Sequence, residues 1–321
     1  MLIRKIATWL AGLTLVASGA AWAQYPDRPI RIIVPFPAGD GLDVQARLIG
    51  QKLSERLGQQ VVIDNKPGAG TLIGMDAAVK SPGDGYTIVL VTTTYAINPS
   101  LRDRVPYDPL KDFTPVIQST AIPLVVVASS AFSVNSFAEV LAQAKRKPGE
   151  FTMGNSGLGT AAHIGMELLN GMAGVKFTHV PYKGIPPAMA DLISGRLQML
   201  CTSPAQVMGQ IREGKIKALA STGARRMAQL PQVPTVREAG VAGYEVNAWV
   251  GYMVPSATPR EVVQKLNREM AAIITSPEIR ERLTADGSEV VANTPEAFAA
   301  HVRSELDKWS QVIKAAGIKA E

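Results

Sequence analysis

Two short segments carry the residue types best suited to holding a small molecule. One is Gly154-Asn155-Ser156-Gly157-Leu158-Gly159-Thr160-Ala161-Ala162-His163, between a strand-like and a helix-like stretch. It offers two hydroxyls, Ser156 and Thr160, beside the unpaired N–H groups and positive dipole end of a helix start. The other is Pro35-Phe36-Pro37-Ala38-Gly39-Asp40-Gly41-Leu42-Asp43, again between a strand and a long helix. Such a junction takes a carboxylate or a phosphate. A plain structural turn uses the same small residues, and Asp43 then serves only as the N-cap.

Enzymatic chemistry finds less material. Gly157-x-Gly159-x-x-Ala162 formally matches the dinucleotide fingerprint. That fingerprint wants an acidic residue about 20 positions on, and the region here holds His179 and Lys183. A nucleophile elbow needs Gly-x-Ser-x-Gly, which Leu158 breaks. His163 is placed either to touch a ligand or to cap and pack its helix. One Cys and three His, at 163, 179 and 301, leave little for a metal centre. Cys201 sits in an apolar run and reads as inert. The residues therefore predict no catalytic group, no cofactor and no metal. Capture of an anionic solute fits better than catalysis. The runner-up is an α/β hydrolase-type enzyme using Ser156 or His163 on a small ester or phosphate. A third reading is a sensory binding protein.

Two further segments belong beside these loops. Pro67-Gly68-Ala69-Gly70-Thr71-Leu72-Ile73-Gly74 is spaced for a tight turn at a cleft floor. Val180-Pro181-Tyr182-Lys183-Gly184 ends a strand with one aromatic and one cation. Tyr182 suits a cleft wall; Lys183 either attracts an anion or is simply solvated.

The elements that must position these loops follow from periodicity. Ile30 to Val34, Val61 to Asp64, Tyr86 to Thr92, Leu124 to Ala128, Leu197 to Thr202 and Ala218 to Thr222 read as strands. Helical spacing covers Val44 to Leu57, Phe137 to Arg146, His163 to Met172 and Ala188 to Ser194, and nearly all of Pro259 to Ala320. Strands alternating with helices predict mostly parallel sheets covered on both faces. Arg104 to Pro123 and Thr222 to Pro234 read as crossovers between two lobes. Residues 24–123 with 225–321 would form a discontinuous first lobe, and 124–224 the second, with a ligand cleft between them.

The amino terminus reads as a signal peptide. Arg4 and Lys5 precede an uncharged apolar stretch, Ile6 to Ala20, and Ala21-Trp22-Ala23 fits signal peptidase. Cleavage after Ala23 lowers the formal charge from +6 to +4. The apolar run is short for a membrane anchor, which needs about 20 residues. The mature chain is expected to be soluble and exported, and the lack of a cysteine pair is compatible with a periplasm. Its Lys and Arg are scattered among acids, which argues against nucleic acid.

Several of these motifs together resemble the Bug-type solute receptors of tripartite tricarboxylate transporters. They are Tyr25-Pro26-x-x-Pro29-Ile30, Ile33-Val34-Pro35-Phe36-Pro37-Ala38-Gly39 and Asp43-x-x-Ala46-Arg47. Asn65-x-Pro67-Gly68-Ala69-Gly70, Asp84-Gly85-Tyr86-Thr87 and Ser156-Gly157-x-Gly159-Thr160-x-x-His163 continue the series. Val180-Pro181-Tyr182-Lys183-Gly184, Leu230-Pro231-x-Val233-Pro234-Thr235 and Glu238-Ala239-Gly240 complete it. The resemblance implies a two-lobed α/β periplasmic binding protein, type II, a Venus-flytrap without enzymatic activity. It implies a small carboxylate ligand and a partner permease of one large and one small membrane subunit. The chain is expected to act as a monomer. Carried over, Phe36, Ala38, Gly39 and Asp43 form one side of the ligand site. Ser156, Gly159 and Thr160 form the other, with His163 and Tyr182 nearby. Two positions depart from the family: Asp40 stands where a glycine is usual, and Leu42 where a hydroxyl is common. If Asp40 faces the cleft, it repels a carboxylate and favours a ligand bearing an amine or ring N–H. If it turns to water, it changes nothing.

Overall fold

The computed structural model describes residues 25–285 and 287–319. The expected signal peptide, 1–23, lies outside the described residues. No described helix is long and apolar enough to cross a membrane.

The chain begins with β1 (Ile30–Val34), α1 (Gly41–Leu57), β2 (Val61–Asn65), α2 (Leu72–Val79), β3 (Thr87–Thr92), α3 (Thr93–Leu101) and β4 (Phe113–Pro123). It then passes into β5 (Val125–Ser129), α4 (Phe137–Arg146), β6 (Thr152–Asn155), α5 (Ala161–Ala173), β7 (Thr178–Pro181), α6 (Ile185–Ile193), β8 (Met199–Thr202), α7 (Met208–Arg212) and β9 (Ile216–Ser221). It returns through β10 (Asn247–Pro255), α8 (Arg260–Ile274), α9 (Pro277–Thr284), β11 (Glu289–Val290) and α10 (Pro295–Ala316). One sheet has the order β11-β4-β10-β3-β1-β2 and the other β7-β6-β8-β5-β9.

Local chemistry explains most of these elements. The β-branched runs of β1 and β5 are buried almost throughout, as a strand covered on both faces requires. Ser136 caps α4 by accepting from Glu139 N–H, and Thr294 caps α10 by accepting from Ala297 N–H. Gly58 ends α1 at φ 68°, where a side chain would be strained.

Strand pairing is mixed rather than mainly parallel. β1 pairs parallel with β2 and β3, and β6 with β7 and β8. The strands next to the crossovers, β4, β5, β9 and β10, pair antiparallel. The reason is connectivity: these strands carry the chain between sheets and do not follow a right-handed crossover helix within one. The stretch read as a crossover, Arg104 to Pro123, is largely the eleven-residue strand β4. The tail read as helical also contributes β11.

Where the chain passes between sheets, three segments are stitched together. Leu124 N–H donates to Thr222 Oγ1 at 2.8 Å, and Thr222 Oγ1 donates to Val246 C=O at 2.6 Å. Val246 N–H donates back to Thr222 C=O at 2.9 Å. The largest apolar cluster draws on both sheets, joining Val89 and Val91 to Val126, Met153 and Met199. Helix α10 contributes Phe298, Val302 and Trp309 to it. The two sheets therefore share a core on one side, and a cleft remains between them on the other.

Candidate functional site

At the end of β1 the chain turns through Gly39, at φ 84°, into α1. The N-cap is Asp40, not Asp43: Asp40 Oδ1 accepts from Leu42 N–H at 2.9 Å. Asp43 lies in the first turn and is buried. Its Oδ2 accepts from Gly39 N–H at 2.8 Å and from Arg47 Nε at 2.9 Å, and its Oδ1 accepts from Asn65 Nδ2 at 2.8 Å. Burial pushes this carboxyl up, but those hydrogen bonds outweigh it and hold the pKa at about 2. Asp43 is thus a fixed anion that organises the loop.

At the end of β6 the second loop is built the same way. Thr160 caps α5, its Oγ1 accepting from His163 N–H at 3.3 Å. His163 Nδ1 accepts from Gly159 N–H at 3.3 Å. Gly159 is at φ 76° and packs against Leu101 of the first sheet's α3. Asn155 Oδ1 accepts from Gly157 N–H at 3.0 Å, while its Nδ2 is buried without a partner. Burial, helped by His179, pushes the His163 pKa down to about 4, so the ring is neutral at neutral pH.

The two loops meet across a cleft of about 210 Å³. From the first come Phe36 and Leu42; from the second come Ser156, Thr160, Ala161 and Ala162. A third junction, Thr92 to Thr94 between β3 and α3, joins them. Thr92 and Thr94 share a hydroxyl hydrogen bond of 2.8 Å, and no side chain caps α3. The floor is Ile122, Leu124 and Ala248 to Val250, and Thr202, Ser203 and Gln206 close the other wall. Three helix starts therefore face one cavity, and none of its lining residues is charged. Their backbone N–H groups and dipoles give the cleft a positive potential without a cationic side chain.

Of the residues singled out from sequence, Phe36, Ser156 and Thr160 line this cavity. Asp43, Gly159 and His163 lie one layer behind and, with the exposed Gly39, set the shape of the loops. Ala38 and Asp40 are exposed at the loop surface. With Asp40 turned outward to cap α1, nothing places it against a ligand. Tyr182 is half-buried and donates its O–H to Asp191 Oδ2 at 2.9 Å, while its N–H donates to Asn155 C=O at 3.1 Å. It braces the strand behind the second loop. For the hydrolase reading, the His163 nitrogen nearest the loop is already taken by Gly159.

Known proteins share this fold. The family model described as "Tripartite tricarboxylate transporter family receptor" matches residues 45–318. The chain belongs to that receptor family. It is 35% identical to Protein BugT of Bordetella pertussis over 306 residues, covering 95% of this chain and 94% of that one. An R. palustris protein solved with adipate is 37% identical, with a TM-score of 0.80, covering 92% of this chain and 99% of the other. MatC of Rhodopseudomonas palustris, solved with bound malate, is 31% identical, with a TM-score of 0.75, covering 90% and 100%. The chain is accordingly an extracytoplasmic solute-binding receptor of the Bug type, the counterpart of transporter membrane subunits.

In this receptor the sequence missed one wall of the cleft. Thr92 to Thr94 form a third strand-to-helix junction, hidden because threonines and Pro99 depress the helix signal of α3. Trp249 was missed too. Its Nε1–H donates to Glu305 Oε2 at 3.0 Å, and Trp309 Nε1–H donates to the same oxygen at 2.8 Å. Lys308 pairs with that buried carboxylate. With its N–H held by α10, the receptor's Trp249 indole donates no hydrogen bond to the cleft. No signal at the tryptophan itself announces a partner 56 residues away.

Proposed function

We propose that this receptor captures a small organic acid in the cleft between the two sheets and hands it to a tripartite permease. The observation that carries the reading is the convergence of three helix starts and several hydroxyls on a cavity whose lining has no charged side chain. Neutral donors of this kind hold a carboxylate without a buried ion pair, partly through ordered water. The relatives solved with adipate and with malate support the same sign of ligand.

In this reading Phe36, Leu42, Ser156, Thr160 and Thr94 contact the ligand. Gly39, Asp43, Gly159 and His163 act through the loop backbone, and Ala38, Asp40 and Tyr182 act only as supports. The lobes are 24–123 with 225–321, and 124–224, and they close on the ligand about the Leu124–Thr222–Val246 stitch. The mature chain, freed of residues 1–23, works in the periplasm as a monomer and catalyses nothing. The closed pair presents one surface to the large and small permease subunits.

The test is thermal unfolding against adipate, malate and a series of aromatic and aliphatic acids, amides and amino acids. A bound acid raises the midpoint; a hundredfold excess over Kd adds about 2.7 kcal/mol. Ser156→Ala and Thr94→Val should each weaken binding about fivefold to tenfold, the worth of one hydrogen bond. Stabilisation by no acid, or wild-type affinity in both variants, would overturn the reading.

A further inference from the structure

Behind the second loop three side chains of ligand type meet. His163 and Glu167 stand one turn apart on the same face of α5. His179 reaches them from β7, its ring edge-on to that of His163 with centroids 5.1 Å apart. One donor atom from each lies within 4.8 Å of the others. His179 Nε2 is 3.4 Å from Glu167 Oε1. That is close to the spacing of two tetrahedral ligands on bonds of about 2.1 Å.

The described residues do not satisfy this cluster by themselves. His179 Nδ1 is buried without a partner. Its Nε2 has only long contacts, 3.3 Å to Asn170 Nδ2 and 3.4 Å to Glu167 Oε1. It is this loosely held Nε2, beside Glu167 Oε1, that leaves room for an ion or a water. The parts of a metal site are otherwise present. Burial keeps both imidazoles neutral at neutral pH, the form that ligates. Asn170 Nδ2 donates to Glu167 Oε2 at 3.0 Å, which orients the carboxylate and leaves Oε1 toward His179. A groove of about 600 Å³ between α5 and α10 has Glu167 and Asn170 in its wall and gives access from solvent.

We infer that His163, Glu167 and His179 form a binding site for a divalent ion of the zinc type, with water in the remaining position. Two imidazoles and one carboxylate are a zinc ligand set with an open position. This site is separate from the cleft, and it is coupled to it through one ring. His163 Nδ1 now accepts from Gly159 N–H. An imidazole that ligates through Nε2 carries its proton on Nδ1 and can no longer accept there. Loading the ion therefore unlatches Gly159, next to the cleft-lining Thr160.

The untagged chain, stripped with a chelator, is titrated with Zn²⁺ by calorimetry and with Co²⁺ by visible absorption. We expect about one ion per chain, with the absorption of a low-coordinate Co²⁺ centre. Glu167→Gln and His179→Gln should each lower the affinity tenfold or more, with melting curves showing that both still fold. His163→Ala should do the same, but it also removes the loop latch and so does not stand alone. Amide exchange at Gly159 should rise on loading. Absence of stoichiometric binding, or equal binding by the Glu167→Gln and His179→Gln chains, would overturn the site. Unchanged exchange at Gly159 would overturn its link to the loop.

Discussion

In the first loop Asp40 caps α1, and Asp43, three residues on, reaches back to the N–H of Gly39. In the second loop Thr160 caps α5, and His163, three residues on, reaches back to the N–H of Gly159. Each glycine directly precedes its N-cap and has positive φ, 84° and 76°. The pattern is one five-residue device, glycine, cap, two spacers and an acceptor, used once in each sheet. It works as a variant of the capping box, with two orphan donors satisfied reciprocally. The acceptors differ. Asp43 is a buried carboxylate gathering three donors, with Arg47 balancing its charge. His163 is a neutral ring with one long bond to the loop. The first loop is therefore the stiffer half of the cleft and the second the adjustable half. Neither adds a bare charge to the ligand's surroundings.

Removing the acceptors should give the largest contrast. Asp43→Ala removes a buried acceptor shared by Gly39 N–H, Arg47 Nε and Asn65 Nδ2, and should cost about 3 kcal/mol in urea unfolding. His163→Ala strands one N–H and should cost about 1–2 kcal/mol. Equal losses would break the distinction between a stiff and an adjustable loop.

The glycines sharpen it. A Cβ at Gly159 would fall 2.3 Å from Leu101 Cδ2, whereas at Gly39 it would meet nothing within 4 Å. Both alanine variants carry the strain of positive φ, about 1 kcal/mol. Gly159→Ala adds overpacking of about 1–3 kcal/mol, and Gly39→Ala does not. Similar melting temperatures for the two would show that Leu101 yields freely.

Acid separates the loops next. The Asp43 pKa is lowered from 3.8 to about 2 in the folded chain. Its contribution is fully present above the unfolded value and is lost as pH falls through about 2, because only the unfolded chain takes up the proton in between. The stability gap between wild type and Asp43→Asn should therefore narrow between pH 4 and pH 2 in urea titrations. A gap constant over that window would mean that the carboxylate's charge contributes nothing.

Asp40→Gly should have the smallest effect, a few tenths of a kcal/mol, since glycine is a tolerable N-cap. Affinity for an organic acid should not change, because the Asp40 side chain is exposed and bonded to its own helix. An affinity change would place the carboxylate in the cleft after all.

The helix starts, the strand ends and the two loops were legible because they are local. Hydrophobic period, small residues at turns and hydroxyls before helices lie within a few positions of one another. Helix α4 was bounded at both ends by such signals, Ser136 before it and Lys147-Pro148-Gly149 after it. The role of Asp43 was half legible. Its place at the helix start could be read, wrongly as the N-cap, but its carboxylate turns back to Gly39 and across to Asn65 on β2. The paired glycine-cap-acceptor device was present in the letters and went unread, since aspartate and histidine do not look alike until both are seen accepting the same N–H.

The sequence alone therefore determined the alternation of strands and helices and the place of the two glycine-rich strand-to-helix loops. Tertiary structure alone decided the strand directions next to the crossovers, the third helix start at Thr93 and the place of Trp249 against Glu305. It also decided that His163, Glu167 and His179 share one neighbourhood. The physical reason is range. Caps and turns satisfy backbone groups within one turn of chain, so spacing records them. A buried side chain takes whatever partner the packed core brings to it, and no interval in the sequence records that choice.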